Sequence, residues 1–232
     1  MKKTASLLLV LFVMSLVPAF AFADSDITVT GTGEVLVPAD TAVVSLGVTA
    51  ADPDVLEAMA SVNTAIASVR EALISAGIDE SDINTDYISV YARYDYSGET
   101  EKIVGYNASS TLAVRVNNID LVGKIIDTAL EAGANTLNDI SFSATDTKEA
   151  KEKAMRLAVE DARAKAEIYA DAAGLSIFGI EDIVEQGTFS SEKGVSNMFN
   201  SVEAAGDTET FVQAAKLTVS SRVTITFKAA NR

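Results

Sequence analysis

The apolar residues of this chain recur at two periods, and the switching between them limits what it can fold into. Val55, Met59, Val62, Ile66, Val69 and Leu73 follow one another at steps of four, three, four, three and four, which puts one apolar stripe along a helix. Leu217, Val219, Val223, Ile225 and Phe227 keep a two-residue period, which lines one face of a strand. Ala42, Val44, Leu46 and Val48 do the same earlier in the chain. Two further strands are expected over 87–96 and 103–116. Ser97-Gly98 links them into an antiparallel hairpin, and the second places Val104, Tyr106, Ala108, Leu112, Val114 and Val116 on one face. Ile27 and Val29 begin a first strand that Gly31 and Gly33 interrupt before it resumes at Val35 and Val37.

The remaining segments complete an alternating series. A helix over 119–132 turns Val122, Ile125, Ile126, Ala129 and Leu130 inward, and a strand follows over 137–144. The longest helix, 147–173, carries the i,i+4 pairs Glu149 with Lys153, Glu152 with Arg156 and Asp161 with Lys165. Its residues Ala150, Ala154, Ala158 and Ala162 form a ridge of small side chains that allows close approach to a sheet. Strands over 180–186 and 217–227 end the series. Pro53 is placed in the first turn of the first helix, and Gly77, Gly133 and Gly174 supply left-handed helix caps. The order β-β-α-β-β-α-β-α-β-β gives an α+β fold, antiparallel sheets of hairpin-paired strands covered by amphipathic helices. Three helices between the strands argue against an outer-membrane barrel.

The first 23 residues read as a leader. Lys2 and Lys3 precede an apolar run over 7–17 broken only by Ser15, Pro18 ends it, and Ala21-Phe22-Ala23 presents small residues at Ala21 and Ala23 for a signal peptidase. Retention as a membrane anchor is the alternative, but the apolar segment is at the short limit for spanning a bilayer. Removal of the leader leaves one domain over 24–232 and places it in the periplasm, the cell envelope or the medium. No later stretch is long and apolar enough for a transmembrane span. Without any cysteine in the chain, this exported domain must hold together by packing alone.

Composition narrows the chemistry. The 232 residues include 33 Asp and Glu against 18 Lys and Arg, a formal net charge of -15 that becomes -17 once Lys2 and Lys3 are gone. Such a surface does not suit nucleic acid. There is no Cys, His or Trp, which removes thiolate and imidazole zinc sites, Ser-His-Asp and Cys-His nucleophiles and disulfides. Gly31-Thr32-Gly33 lacks the third glycine of a dinucleotide loop, because Leu36 stands there, and reads as a bulge or bend. Asp52 with Asp54, and Asp79 with Glu80 and Asp82, lack calcium-loop spacing and flank helix ends, where aspartate caps free amides. No catalytic residue, metal ligand or cofactor site is assigned.

Aromatic residues carry the clearest functional signal. Tyr87, Tyr91, Tyr94, Tyr96 and Tyr106, five of the six tyrosines, lie on the expected hairpin. Alternation sets Tyr87 and Tyr91 opposite Tyr94 and Tyr96, so one pair falls outside the core. With Arg93 beside them, these residues suit a protein or glycan contact surface. A polar stretch over 188–210 reads as a long loop carrying Phe189, Met198 and Phe199, with Phe211 just beyond it; these phenylalanines join the candidate interface. Asn107-Ala108-Ser109 is a glycosylation sequon within an expected strand.

Five motifs in order resemble the SIMPL-domain family. They are Ile27-Thr-Val-Thr-Gly-Thr-Gly-Glu34, Pro38-Ala-Asp-Thr-Ala42, the run from Ala76-Gly-Ile-Asp to Asn84-Thr85, Gly105-Tyr106-Asn-Ala108, and Ala158-Val-Glu-Asp-Ala-Arg-Ala-Lys-Ala-Glu167 followed by Gly174-Leu175. The resemblance covers essentially the whole exported chain. It departs before the last strand, where Gln213-Ala-Ala-Lys216 replaces a Pro-Gly-Glu turn. The family includes periplasmic immunogenic proteins and proteins assigned to oxidative-stress defence. The resemblance implies an envelope or secreted protein that assembles into ring-like oligomers, without established catalytic residues.

Three readings of function follow. The first is a non-enzymatic, self-associating envelope protein linked to envelope or oxidative-stress protection, with other envelope proteins as further partners. The second is an acidic binding module for a cationic peptide or metal ion, drawn in by the net charge. The third and weakest is a carboxylate-based hydrolase.

Overall fold

Ala42, Val44, Leu46 and Val48 are all buried, and the residues between them turn to the other face of β2 (Thr41–Asp52). The described strands form two sheets, and β2 lies in the larger. The computed structural model describes residues 24–98, 100–191, 193–194, 210–214 and 216–232; the leader with Ala21 and Ala23, and Met198 and Phe199, lie outside them. The strands are β1 (Ser25–Val37), β2, β3 (Ile83–Asp95), β4 (Lys102–Val116), β5 (Thr136–Ser143), β6 (Leu175–Ser191), β7 (Lys193–Gly194) and β8 (Leu217–Asn231). The helices are α1 (Val55–Ser75), α2 (Val122–Glu131) and α3 (Lys148–Ala173), with short 3-10 turns at Glu80–Asp82 and Ile119–Leu121. The fold is α+β with antiparallel sheets, one five-stranded in the order β3-β4-β2-β5-β7 and one three-stranded in the order β1-β8-β6.

The described residues divide into two compact units. The larger takes in 34–155 and the described part of 188–221. There β2 lies between β4 and β5, with Val44 opposite Val114 and Leu46 opposite Leu112. One side of this sheet meets α1 through Val69 and Leu73 and α2 through Val122, Ile125 and Ile126. Asp54 starts α1 by accepting from the backbone N–H groups of Leu56 (2.7 Å) and Glu57 (3.3 Å). Pro53 therefore stands just ahead of the cap, not in the first turn. Gly77 and Gly133 close their helices at φ 100° and 111°, in the left-handed region that a side chain would oppose. Asn135 acts as a strand extension: its side chain donates to the Thr49 carbonyl and accepts from the Thr49 N–H, both at 2.8 Å. Asp40 holds the turn into β2, accepting from the Thr41 hydroxyl and from Thr145. Those bonds keep its carboxyl below the usual range.

The smaller unit takes in 24–33, 156–187 and 222–232. Hydroxyl pairs Thr28–Thr226 and Thr30–Thr224 show β1 and β8 running in opposite directions. Val29, Val223, Ile225 and Phe227 pack against Ala158, Ala162 and Ala166 of α3. The glycine reading changes here. β1 runs unbroken through Gly31, and a Cβ on Gly31 would meet the Ala158 carbonyl oxygen at 2.0 Å and the Ala162 Cβ at 2.8 Å. Gly31 is needed for helix approach, not for a bend. The helix is clamped at the same place: Asp161 accepts from Lys165 (2.6 Å) and from the Thr32 N–H (2.8 Å), and Lys165 also donates to the Thr30 carbonyl (3.0 Å). Lys165 above all, then Thr32, holds the Asp161 carboxyl below its ordinary value.

Two further expectations change. β6 extends from Leu175 to Ser191, well beyond 180–186, so Phe189 belongs to a strand and not to a loop over 188–210. Its exposed Phe178, Ile180 and Val184 show why the pattern is faint: on this edge strand Ile177 packs toward the core, yet the outward face is apolar as well, so hydrophobicity does not alternate. The alanine ridge of α3 is buried at Ala154, Ala158, Ala162, Ala166 and Ala170, one turn later than expected.

Candidate interaction surface

The hairpin of β3 and β4 leaves the core part way along its length. Ala108 of β4 is fully buried with Val48, Ala58 and Val62, the last apolar cluster that α1 provides in this direction. Beyond it, among the described residues, no helix covers the strands, and Gly105 alone is buried, against the backbone of Asp52 and Pro53. The expected inward face of β4 therefore ends early: Tyr106 is half-buried, and Val104 and its neighbour Ile103 are exposed. On β3, Ile88 and Val90 lie opposite Ser110 and Ala108, yet both are exposed. These four aliphatic residues belong to the surface although their periodicity resembles that of a core.

The tyrosines lie outside the core on both faces. Tyr87, Tyr91, Tyr94 and Tyr96 are 59, 57, 44 and 73% exposed. Tyr87 and Tyr91 stand opposite Thr111 and Asn107. Between them Ser89 and Ser109 share a hydroxyl hydrogen bond (2.8 Å), and the Asn107 side-chain N–H donates to the Tyr91 hydroxyl (3.1 Å). The sequon asparagine is thus tied into the sheet. Past Arg93 the register shifts by one residue, Arg93 facing Gly105 and Tyr94 facing Ile103, the signature of a bulge. There Tyr94 and Tyr96 bring their rings to 6.1 Å between centroids at a tilt of 40°, the one aromatic pair among the described residues. Asp95 accepts from the Ser97 N–H (2.9 Å), which holds its carboxyl below the usual range. Arg93 makes no ion pair among the described residues.

β3 is also the outermost strand of its sheet. Its backbone donors and acceptors on the outer side have no neighbouring strand among the described residues. The expected partners of the tyrosines do not join them: Phe189 and Phe211 are exposed but form no ring pair with the hairpin. The missed residues Ile88, Val90, Ile103 and Val104 could have been found from the absence of any apolar partner for the hairpin end once α1 is counted against β2 and β4.

The acidic clusters serve as caps and ties. Asp52 accepts from the Asp54 N–H (2.8 Å), and Asp79 caps the turn at Ser81 (2.8 Å). Glu80 meets Arg70 (3.3 Å), and Asp82 meets Arg115 (3.9 Å) and the Asn117 side chain (2.9 Å). No helix among the described residues is long and apolar enough to cross a membrane.

Comparison with known proteins gives one family. The profile described as SIMPL, a protein of unknown function (DUF541), matches residues 27–227. A 26 kDa periplasmic immunogenic protein of Brucella melitensis is 33% identical over 164 residues, covering 68% of this chain and 66% of that protein, just under two thirds of its length. An uncharacterized protein YggE of Edwardsiella ictaluri is 25% identical over 152 residues, covering 65% of this chain and 64% of the relative. YggE of Escherichia coli K12 is 26% identical over 136 residues, covering 59 and 55%.

Proposed function

Because this chain belongs to the SIMPL family, we propose that it is an exported, non-enzymatic envelope protein that works by associating with copies of itself through the β3 edge. The observation that carries the reading is the 13-residue outer strand β3, which has no strand on its outer side among the described residues and bears Tyr87, Ile88, Val90 and Tyr91 as exposed side chains. Natural sheets protect their edges with short strands, charged residues, prolines, bulges or covering loops; the register shifts of β3 fall at Thr85/Tyr87 and Arg93/Tyr94 and leave 87–93 regularly paired. β3 contains neither lysine nor proline, and Arg93 is its one cation. A strand left open in this way is suited to receive another strand, with backbone hydrogen bonds giving affinity and the tyrosines giving apolar contact.

Periplasmic placement is supported by the leader pattern and by the name of the Brucella relative. The best-held carboxylates are occupied by structural hydrogen bonds. Asp40, Asp79, Asp95 and Asp161 are all drawn below their ordinary value by hydrogen bonds. Groups that exchange protons in catalysis are instead tuned toward the working pH. Light scattering on the purified protein at micromolar concentration tests the proposal: a mass above that of one chain supports it, and a monomer contradicts it.

A further inference from the structure

The chain has no Cys, His or Trp, so tyrosine and methionine are its readily oxidised side chains. Of the six tyrosines, one pair is within reach of itself. Tyr87 and Tyr91 are four residues apart on one strand face, about 13 Å along the chain. Tyr91 has its hydroxyl engaged by Asn107. Tyr106 is half-buried, and Tyr169 stands by itself on α3. Tyr94 and Tyr96 differ on every count. Their ring centroids are 6.1 Å apart, both are exposed, and neither hydroxyl has a hydrogen-bond partner among the described residues. Rotation of two exposed side chains closes the remaining gap.

We propose that Tyr94 and Tyr96 form a modification site at which a one-electron oxidant joins the two rings into an intrachain dityrosine. Each phenol gives one electron to the oxidant and one proton to water. The two radicals combine through the ring carbons next to the hydroxyl-bearing carbons, and the hydrogens on those carbons move to oxygen to restore both rings. One carbon–carbon bond forms, the chain loses two hydrogens, and two equivalents of a ferryl-haem-type oxidant are reduced. The cross-link ties residues 94 and 96 at the end of the hairpin and leaves a lasting record of oxidant exposure. It does not depend on self-association, because both rings belong to one chain.

The test treats dilute purified protein with a haem peroxidase and hydrogen peroxide. The expected result is dityrosine fluorescence with no increase in size on a denaturing gel. Trypsin, cutting after Arg93 and Lys102, releases a peptide of residues 94–102 that holds these two tyrosines and no others; it should be lighter by two hydrogens. Tyr94→Phe and Tyr96→Phe should each abolish the signal, while Tyr91→Phe keeps it. Fluorescence that survives Tyr94→Phe, an unchanged mass for the 94–102 peptide, or cross-linking confined to covalent dimers would overturn the proposal.

Discussion

Gly31 lies directly against the main chain of α3: a Cβ there would stand 2.0 Å from the Ala158 carbonyl oxygen. The contact joins β1 to a helix that reaches it through alanines, and no neighbouring side chain can yield to make room. Gly31→Ala should therefore destabilise the protein by about 1–3 kcal/mol, the range for overpacking a tight contact. Gly98, whose nearest neighbour would be 3.8 Å from an added Cβ, is the control; Gly98→Ala should change stability by less than about 0.5 kcal/mol. Denaturant midpoints measure both.

The clamp beside Gly31 gives the fold a response to acid. Asp161 is bound as a carboxylate by Lys165 and Thr32, and its pKa is lowered in the folded state. A lowered folded value means that its contribution is complete above the unfolded aspartate value of about 3.9. It is lost as pH falls through the folded value. Asp161→Asn should cost about 1 kcal/mol or less near neutrality, since Lys165 and Asp161 are both partly exposed. Thermal midpoints should converge for wild type and variant at the lowest pH at which both remain folded. A difference that persists undiminished there would remove the carboxylate from the account.

Asn135 supplies both hydrogen bonds to the backbone of Thr49. Asn135→Ala removes donor and acceptor together and should cost about 1–2 kcal/mol. Asn135→Asp keeps the acceptor but faces the Thr49 carbonyl with another oxygen, so it should not restore stability. Equilibrium unfolding of the two variants distinguishes this tie from a tolerant turn.

Much of this architecture is legible in the residues, and the parts that are not share a cause. The stripe from Val62 to Leu73 and the alternation from Ala42 to Val48 can be read because each buries one face against neighbours whose apolar periods also show. Gly31 is misread as a bend because its partner, Ala158, is far along the chain and sequence carries no distance. Val104 and Ile88 look like core residues because periodicity records which face a side chain takes, not whether a helix reaches that far. β6 is underestimated because its outward face, with Phe178, Ile180 and Val184 exposed, is as apolar as the side on which Ile177 packs toward the core. Asn135 leaves no local signal, since its value lies in a bond to another strand. The tyrosine cluster is visible as composition, and the two-residue spacing of Tyr94 and Tyr96 already puts them on one strand face; the 40° tilt between their rings is what the structure adds.

Charge sets the conditions under which copies of this chain can meet. At -15, or -17 without Lys2 and Lys3, two molecules repel one another over a distance that shortens from about 30 Å at 0.01 M salt to about 8 Å at 0.15 M. Association through the apolar edge of β3 should therefore strengthen as salt rises. Binding driven by attraction of a cationic partner would weaken instead. Sedimentation across a salt series reads the sign directly.

The most direct test of the central claim is the solution mass of the wild type beside Ile88→Lys and Tyr91→Lys, measured by light scattering at matched concentration. Both residues are exposed, so the substitutions should leave the fold intact while adding the charge that natural edge strands use to refuse partners. The account predicts a mass above one chain for the wild type and a shift toward monomer for both variants. A wild type that is monomeric at micromolar concentration, or an assembly that both lysines leave unchanged, would contradict it.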